Sequence, residues 1–211
     1  MIRKLLCSAA LLACLSGLAS APALATTLTP LSIEQMTDAS DLVVRGVVTE
    51  VWTEEDAKGR IWTRAQVEVH DVLKGAAETR AVIIDQLGGT LNDDTMYVAE
   101  ATRFSVGEEA YFFLEHLGSG RTVTAGMFQG KFTVRVDPDN GDEMVVRYRL
   151  PQDRPYDHRF IPHPDPAERA YAADLERRVT ERVDLGWDGQ PIPGADTDKL
   201  RRINKLQPEV R

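Results

Sequence analysis

Cysteine is almost missing from this chain: of 211 residues only Cys7 and Cys14 are thiols, and both precede residue 26. If the leader is removed, no disulfide can form. Exported domains too small for a proper core usually depend on such bridges, whereas the residues after Ala25 suffice to bury a core of their own. Long apolar runs are also missing. The run from Leu5 to Leu18 falls short of the roughly 20 residues that cross a hydrocarbon layer of about 30 Å, and nothing later is long or apolar enough, so no membrane span is expected. Basic charge is scarce as well, with 25 Lys and Arg against 33 Asp and Glu. Arg3 and Lys4 are the only charges in the leader, which leaves the remainder at a net −10. That balance argues against nucleic-acid binding, where clustered basic groups supply most of the affinity, and suits a solvated exported protein.

What the first 25 residues do contain comes in an informative order: a basic start, an uncharged run, and small residues at Ala23-Leu24-Ala25. This is the pattern of a secretory signal peptide cleaved after Ala25, so residues 1–25 are expected to be removed and the protein to work in the periplasm or outside the cell. A second reading is a lipid anchor at Cys14, because Leu11-Leu12-Ala13-Cys14 resembles a lipidation site. Against it, the chain stays apolar from Cys14 to Ala25 and Leu12 fits the site poorly.

Ser32-Ile33-Glu34-Gln35 has the form of a capping box and predicts a short helix to about Ala39. From Leu42 to Trp52 the composition turns β-branched, and from Ile61 to Val72 apolar and polar residues alternate, which is a strand's period. Further strands are expected at Ala81–Leu87, Ala110–Leu114, Thr122–Ala125, Lys131–Val136 and Met144–Tyr148, with turns at Gly118–Gly120 and Asp137–Asp142. Residues 26–150 thus read as a mainly β, antiparallel domain. Five prolines from Pro151 to Pro166 make residues 151–165 an extended connector. Asp165-Pro166-Ala167-Glu168 then starts a helix over 166–185. Tyr171, Leu175, Val179 and Val183 form its apolar stripe, and Asp174 and Arg178 are spaced for an exposed ion pair. Residues 186–211 are expected to be a mobile tail.

Three blocks carry a resemblance to a known family. Ala39-Ser40-Asp41-Leu42-Val43-Val44-Arg45-Gly46-Val47-Val48, then Val67 to Gly75 with Val72-Leu73-Lys74-Gly75, then Val106 to Leu114 resemble the netrin-like modules, among them the tissue inhibitors of metalloproteinases. Gly88-Gly89 and Gln129-Gly130-Lys131-Phe132 add a likeness to bacterial exported domains with the same order of blocks. The resemblance covers about Ala39 to Val136 and implies an OB-like antiparallel β-barrel, with a protein partner and an inhibitory role toward an exported protease. The inhibitors' zinc-binding N-terminal cysteine has no counterpart in the chain after Ala25, so that mechanism does not carry over.

Each candidate constellation has a plainer rival. Asp137 to Glu143 is rich in oxygen ligands, but its glycine is one position early for a calcium loop, and a hairpin turn is the preferred reading. His158 and His163, with Asp157 and Asp165, lie in the connector without a third close ligand at metal-site spacing. Ser32, Ser105 and Ser119 lack the Gly-x-Ser-x-Gly elbow of a hydrolase. Arg45, Arg64 and Glu68 could share a nuclease-like face only by chance. Gly88-Gly89 is not followed by the Lys-Ser/Thr of a phosphate loop. Trp52, Trp62, Tyr97, Tyr111, Phe112, Phe113 and Phe128 would suit a sugar platform, yet aromatic residues in strands are mostly core.

No catalytic residue, cofactor or metal ligand is therefore assigned. If the first hairpin sets Gly46 opposite Val67, then Val43, Val47, Val51 and Trp62 share the outer face. They are the expected partner surface, or the seat of the C-terminal helix stripe near Trp62. The expected function is an exported, non-enzymatic protein-binding module, with a loop-borne hydrolase or a glycan-binding domain as the alternatives. Cleavage after Ala25 predicts that intact-mass analysis and N-terminal sequencing of the exported protein find Thr26 first. A chain beginning at a lipid-modified Cys14 would establish the anchor instead.

Overall fold

Two long antiparallel strands, β1 (Leu42–Glu55) and β2 (Ile61–Lys74), form the spine of the protein. They run close together at Gly46, where an added Cβ would lie 2.3 Å from the Glu68 carbonyl oxygen and 2.7 Å from a Val67 methyl. Only glycine admits that crossing. The ladder pairs Gly46 with Val69 and Val48 with Val67, not Gly46 with Val67. A slip of two residues leaves Val44, Val48 and Val67 on their expected face, because the strand period is two, but the break between Val48 and Glu50 turns Val51 to the side of Ala65. Register breaks between Arg45 and Gly46 and between Val48 and Glu50 coil the hairpin strongly.

The computed structural model describes residues 28–77, 79–147 and 168–206. The expected signal peptide, the proline-rich connector and its His158/His163 group lie outside the described residues. Beyond β1 and β2 the strands are β3 (Ala81–Leu87), β4 (Gly89–Leu91), β5 (Asp94–Met96), β6 (Glu109–His116), β7 (Thr122–Thr124), β8 (Lys131–Val136), β9 (Glu143–Arg147) and β10 (Glu168–Tyr171). All the strand pairs are antiparallel, in the order β10-β9-β8-β6-β1-β2-β3, with β7 also on β6 and β4-β5 a separate hairpin. The fold is mainly β, as expected. Among the described residues the ladder does not close into a barrel: β3 comes alongside β7, tied by an Arg121–Asp85 contact of 2.7 Å, without pairing with it.

Strand alternation divides the core in two. Leu42, Val44, Val48, Ala65, Val67, Ile84, Phe112 and Leu114 fill the concave side of the curl. Val43, Tyr111, Phe113, Phe132 and Val145 face the other way and are covered by helices. The first is α1 (Ile33–Ala39), whose capping box is present, with Ser32 Oγ accepting from Gln35 N at 3.1 Å and Gln35 Oε1 accepting from Ser32 N at 3.0 Å. The second, α2 (Ala172–Leu185), buries Ala172, Leu175 and Val179 completely or nearly so. Two forked pairs bind it to α1: Arg178 to Glu34 at 2.7 and 2.8 Å, and Arg182 to Asp38 at 2.9 Å.

Four expectations about the C-terminal third are corrected. Residues Glu168–Tyr171 are strand, not the first turn of the helix, because the open edge of β9 offers unpaired backbone groups and Arg147 holds Glu168 at 2.9 Å. Tyr171 is accordingly off the helical stripe and 44% exposed. Arg178 reaches Glu34 of α1, leaving Asp174 to Arg177 at 3.4 Å. The stripe does pack on the sheet, but over Val43, Tyr111 and Val145 and not near Trp62. Beyond Gly186, where a mobile tail is expected, a third helix, α3 (Thr197–Leu206), follows, and Ile192 and Leu200 enter the same core. No described helix is long and apolar enough to cross a membrane.

Burying a leucine side chain contributes about 1.5–3 kcal/mol, and a carboxylate in its place adds a desolvation cost. Leu175→Asp should therefore lower the urea midpoint by an amount equivalent to about 3 kcal/mol or more, while Tyr171→Asp should cost less than about 1 kcal/mol. Equal effects from the two would mean that residue 171 belongs to the packed stripe after all.

Candidate functional site

The chain approaches its first helix along a buried amide. Gln129 sits in a 3-10 turn, Met127–Gly130, and is only 5% exposed. Its Oε1 accepts from Leu31 N at 2.8 Å and its Nε2 donates to Thr29 O at 3.2 Å, so one side chain imitates a strand partner for the N-terminal segment. Arg147, also buried, donates to the Leu31 carbonyl at 2.9 Å. The next residue, Gly130, is needed for contact: a Cβ there would fall 2.4 Å from the Ala125 carbonyl oxygen.

Beside this clamp lies a pocket of about 420 Å³. Leu28, Thr29 and Leu31 form one wall, Val123, Thr124 and Met127 a second, and Pro193, Gly194 and Ala195, on the approach to α3, a third. Ala39, at the end of α1, and Glu115 complete it. The lining is mostly apolar with a few polar groups, which is the usual make-up of a ligand site. Part of the wall is held in an uncommon backbone state, since Gly126 and Met127 are both left-handed, at φ 64° and 59°. For methionine this costs on the order of 1–2 kcal/mol, and such outliers gather where a surface has been shaped for use.

Glu115 is the unusual member. It lies at the end of β6 on the same face as Tyr111 and Phe113, half-buried, and among the described residues its carboxylate has no hydrogen-bond or ion-pair partner. Burial pushes its carboxyl upward; Lys199 pulls the other way, while Asp41 and Asp196 reinforce the rise. The ammonium of Lys199 is already committed to Asp41 at 2.5 Å.

Other ionisable groups are spent on the framework. Arg45 lies between Glu109 at 2.7 Å and Glu143 at 2.7 and 2.9 Å, with its guanidinium 5.5 Å from the Tyr111 ring centre. Tyr111 donates to Glu176 of α2, and burial together with this carboxylate pushes the phenol far up. At the far end of the hairpin, Asp85 takes Arg121 at 2.7 Å and Arg64 at 3.1 Å.

The structure does not bring the expected partner surface together. Val43 is fully buried under the helices, Val51 packs into the opposite core beyond the bulge, and Val47 is half-buried. Trp62 is 6% exposed, roofed by Arg121 at 4.1 Å and donating to Asp56 at 3.0 Å. Arg45 and Arg64 lie at opposite ends of the hairpin, and Glu68 is exposed. Asp137 to Glu143 forms the β8–β9 turn, with Asp137 and Asn140 accepting from Asp139 N and Asp142 N. Gly88 bridges to Trp62, and Gly89 opens the β4–β5 hairpin. Of the aromatic set, Tyr111, Phe112 and Phe113 are wholly buried while Tyr97 is 80% exposed on a loop. Among the described residues no three His, Cys, Asp or Glu side chains gather as a metal-holding group.

The pocket itself is invisible to local patterning, since its walls come from four distant stretches of chain. One signal was available. Strand alternation continued one residue past Leu114 places Glu115 on the face of Tyr111 and Phe113, a charge where the pattern demands an apolar group. Set beside known proteins, the chain matches no family model and no curated protein.

Gln129→Ala removes two backbone partners at once. It should cost about 1–3 kcal/mol for the groups left unsatisfied and raise amide exchange selectively at Leu31. Unchanged exchange there would show that the N-terminal wall is held by something other than the amide.

Proposed function

We propose that this chain is an exported, non-enzymatic binding module that takes part of another exported protein into the pocket between its N-terminal segment and the approach to α3. The observation that carries this reading is the pocket: a mostly apolar concavity with one carboxylate that has no hydrogen-bond or ion-pair partner among the described residues, whose other prominent charged clusters are engaged in internal pairs. Acidic surface and export fit a partner met outside the cytoplasm. The curled strands β1, β2, β3 and β6, with β7 lying beside β3, support an OB-like reading of the architecture. The resemblance of Ala39–Val48, Val67–Gly75 and Val106–Leu114 to netrin-like modules makes an exported protease the first partner class to test.

A photo-crosslinking residue at Val123 in the pocket wall should capture one protein in cells that export the chain, whereas the same residue at Val136, 65% exposed on β8, should not. Binding of the captured protein should then be lost in Ala195→Trp, which fills the pocket. Equal capture at both positions, or unaltered binding by Ala195→Trp, would place the partner surface elsewhere.

A further inference from the structure

We infer that the group received by the pocket is a primary alkylammonium, as at the tip of a lysine side chain; this rests on the pocket being the binding site. The apolar walls and the single free carboxylate together define a ligand with an aliphatic stem and a charged donor at its end. A lysine side chain has that form, burying its methylenes while its ammonium seeks an acceptor.

The charges around the pocket favour a cation over its rivals. Glu115, Asp41 and Asp196 act together there, against two ammoniums already engaged: Lys199 is bound to Asp41 at 2.5 Å, and Lys74, which also meets Asp41, donates to the Thr37 and Ser40 carbonyls. The balance is negative, so an anion is repelled. A purely apolar occupant fares badly for another reason: it would strip the remaining water from Glu115 and leave a desolvated charge unpaired. A neutral donor would give one hydrogen bond but leave the charge in place. An ammonium gives a charge-assisted hydrogen bond and neutralises the site. Because Glu115 has no hydrogen-bond or ion-pair partner among the described residues, none of the described pairs has to be broken to make room.

The test is an NMR titration of the chain from Thr26 to Arg211 with n-pentylammonium chloride and, separately, with 1-pentanol. The Met127 and Val123 methyls, the Ala195 methyl and the Glu115 side-chain carboxyl carbon are the reporters. Pentylammonium should bind about ten-fold or more tightly than pentanol, move the Glu115 carboxyl carbon, and lose its advantage in added salt. Glu115→Gln should bring the two ligands level. That variant remains a fair control, since it removes an unpartnered half-buried charge and should melt at the same temperature as the parent or higher.

Equal affinities in the parent protein would overturn the inference and leave an apolar pocket standing. Methyl shifts without movement of the Glu115 carboxyl carbon would overturn it too, as would tighter binding of hexanoate. A contact between Glu115 and the chain's own terminal amine in the free protein would assign the place to the chain itself, against the inference. If neither pentyl compound moves any wall residue, the pocket reading falls together with the inference.

Discussion

A buried ammonium at the end of a helix too short to stand alone fixes much of this molecule. The helix α1 has seven residues, well under the length at which an isolated helix holds in water. Lys74, at the end of β2, donates to the carbonyls of Thr37 at 2.5 Å and Ser40 at 2.7 Å, the C-terminal groups that a helix leaves open. Burial pushes the Lys74 amine downward, while Asp38 and Asp41 act the other way and favour its charged form. Once α1 is seated, Glu34 and Asp38 stand one turn apart facing Arg178 and Arg182, and the second helix has its place. Arg178 in turn holds the Glu34 carboxyl down at about 2. The segment before α1 is led past Gln129, and the pocket exists because of that path.

The same logic explains the sequence blocks that resemble netrin-like modules. In Val72-Leu73-Lys74-Gly75, Leu73 packs on the helix-side core, Lys74 caps α1, and Gly75 lets the chain pass a point where a Cβ would lie 2.4 Å from the Asp41 carbonyl oxygen. In the first block, Ser40 Oγ donates to Met36 O at 2.7 Å and Asp41 accepts from His116 N at 2.7 Å. Glu108 of the third block accepts from Lys131 at 2.8 Å and Thr133 at 2.6 Å, while Gln129 clamps the N-terminal segment. These residues hold elements in place. The resemblance in these blocks therefore rests on framework residues, while the pocket residues Glu115 and Val123 lie between the blocks and Ala195 beyond the last of them.

What local pattern can express was legible. Alternation and turn residues bound β3 and β8 at the ends observed, the capping box at Ser32 starts α1, and the faces of β1 up to the bulge at Val48 follow from period two even with the register displaced. What depends on a distant partner was not. Glu168 to Tyr171 satisfies every rule for a helix start, yet the open edge of β9 and Arg147 draw it into the sheet. Thr197 to Leu206 has few apolar residues, and only the core it meets makes Leu200 decisive. Arg178 is spaced correctly for Asp174, but a forked pair with Glu34 competes better than an exposed contact on one helix. The pocket failed to appear for the same reason, being composed wholly of non-local neighbours.

The position of β1 at the middle of the ladder governs how the chain can reach its native state. One neighbour, β2, follows it directly; the other, β6, begins at Glu109 and pairs Leu42 with Leu114 and Val43 with Phe113. Any chain that emerges N-terminus first, from a ribosome or an export channel, forms the first hairpin with one edge of β1 still bare. The N-terminal segment waits longer, since its partners are Gln129 and Arg147, separated from Leu31 by 98 and 116 residues. Such sequence-distant closure slows folding, and during that interval the exposed edge of Leu42 to Val47 is a template for a second chain. The early hairpin, rather than the finished surface, is thus where this protein is most exposed to aggregation, and where a chaperone would have the most to protect.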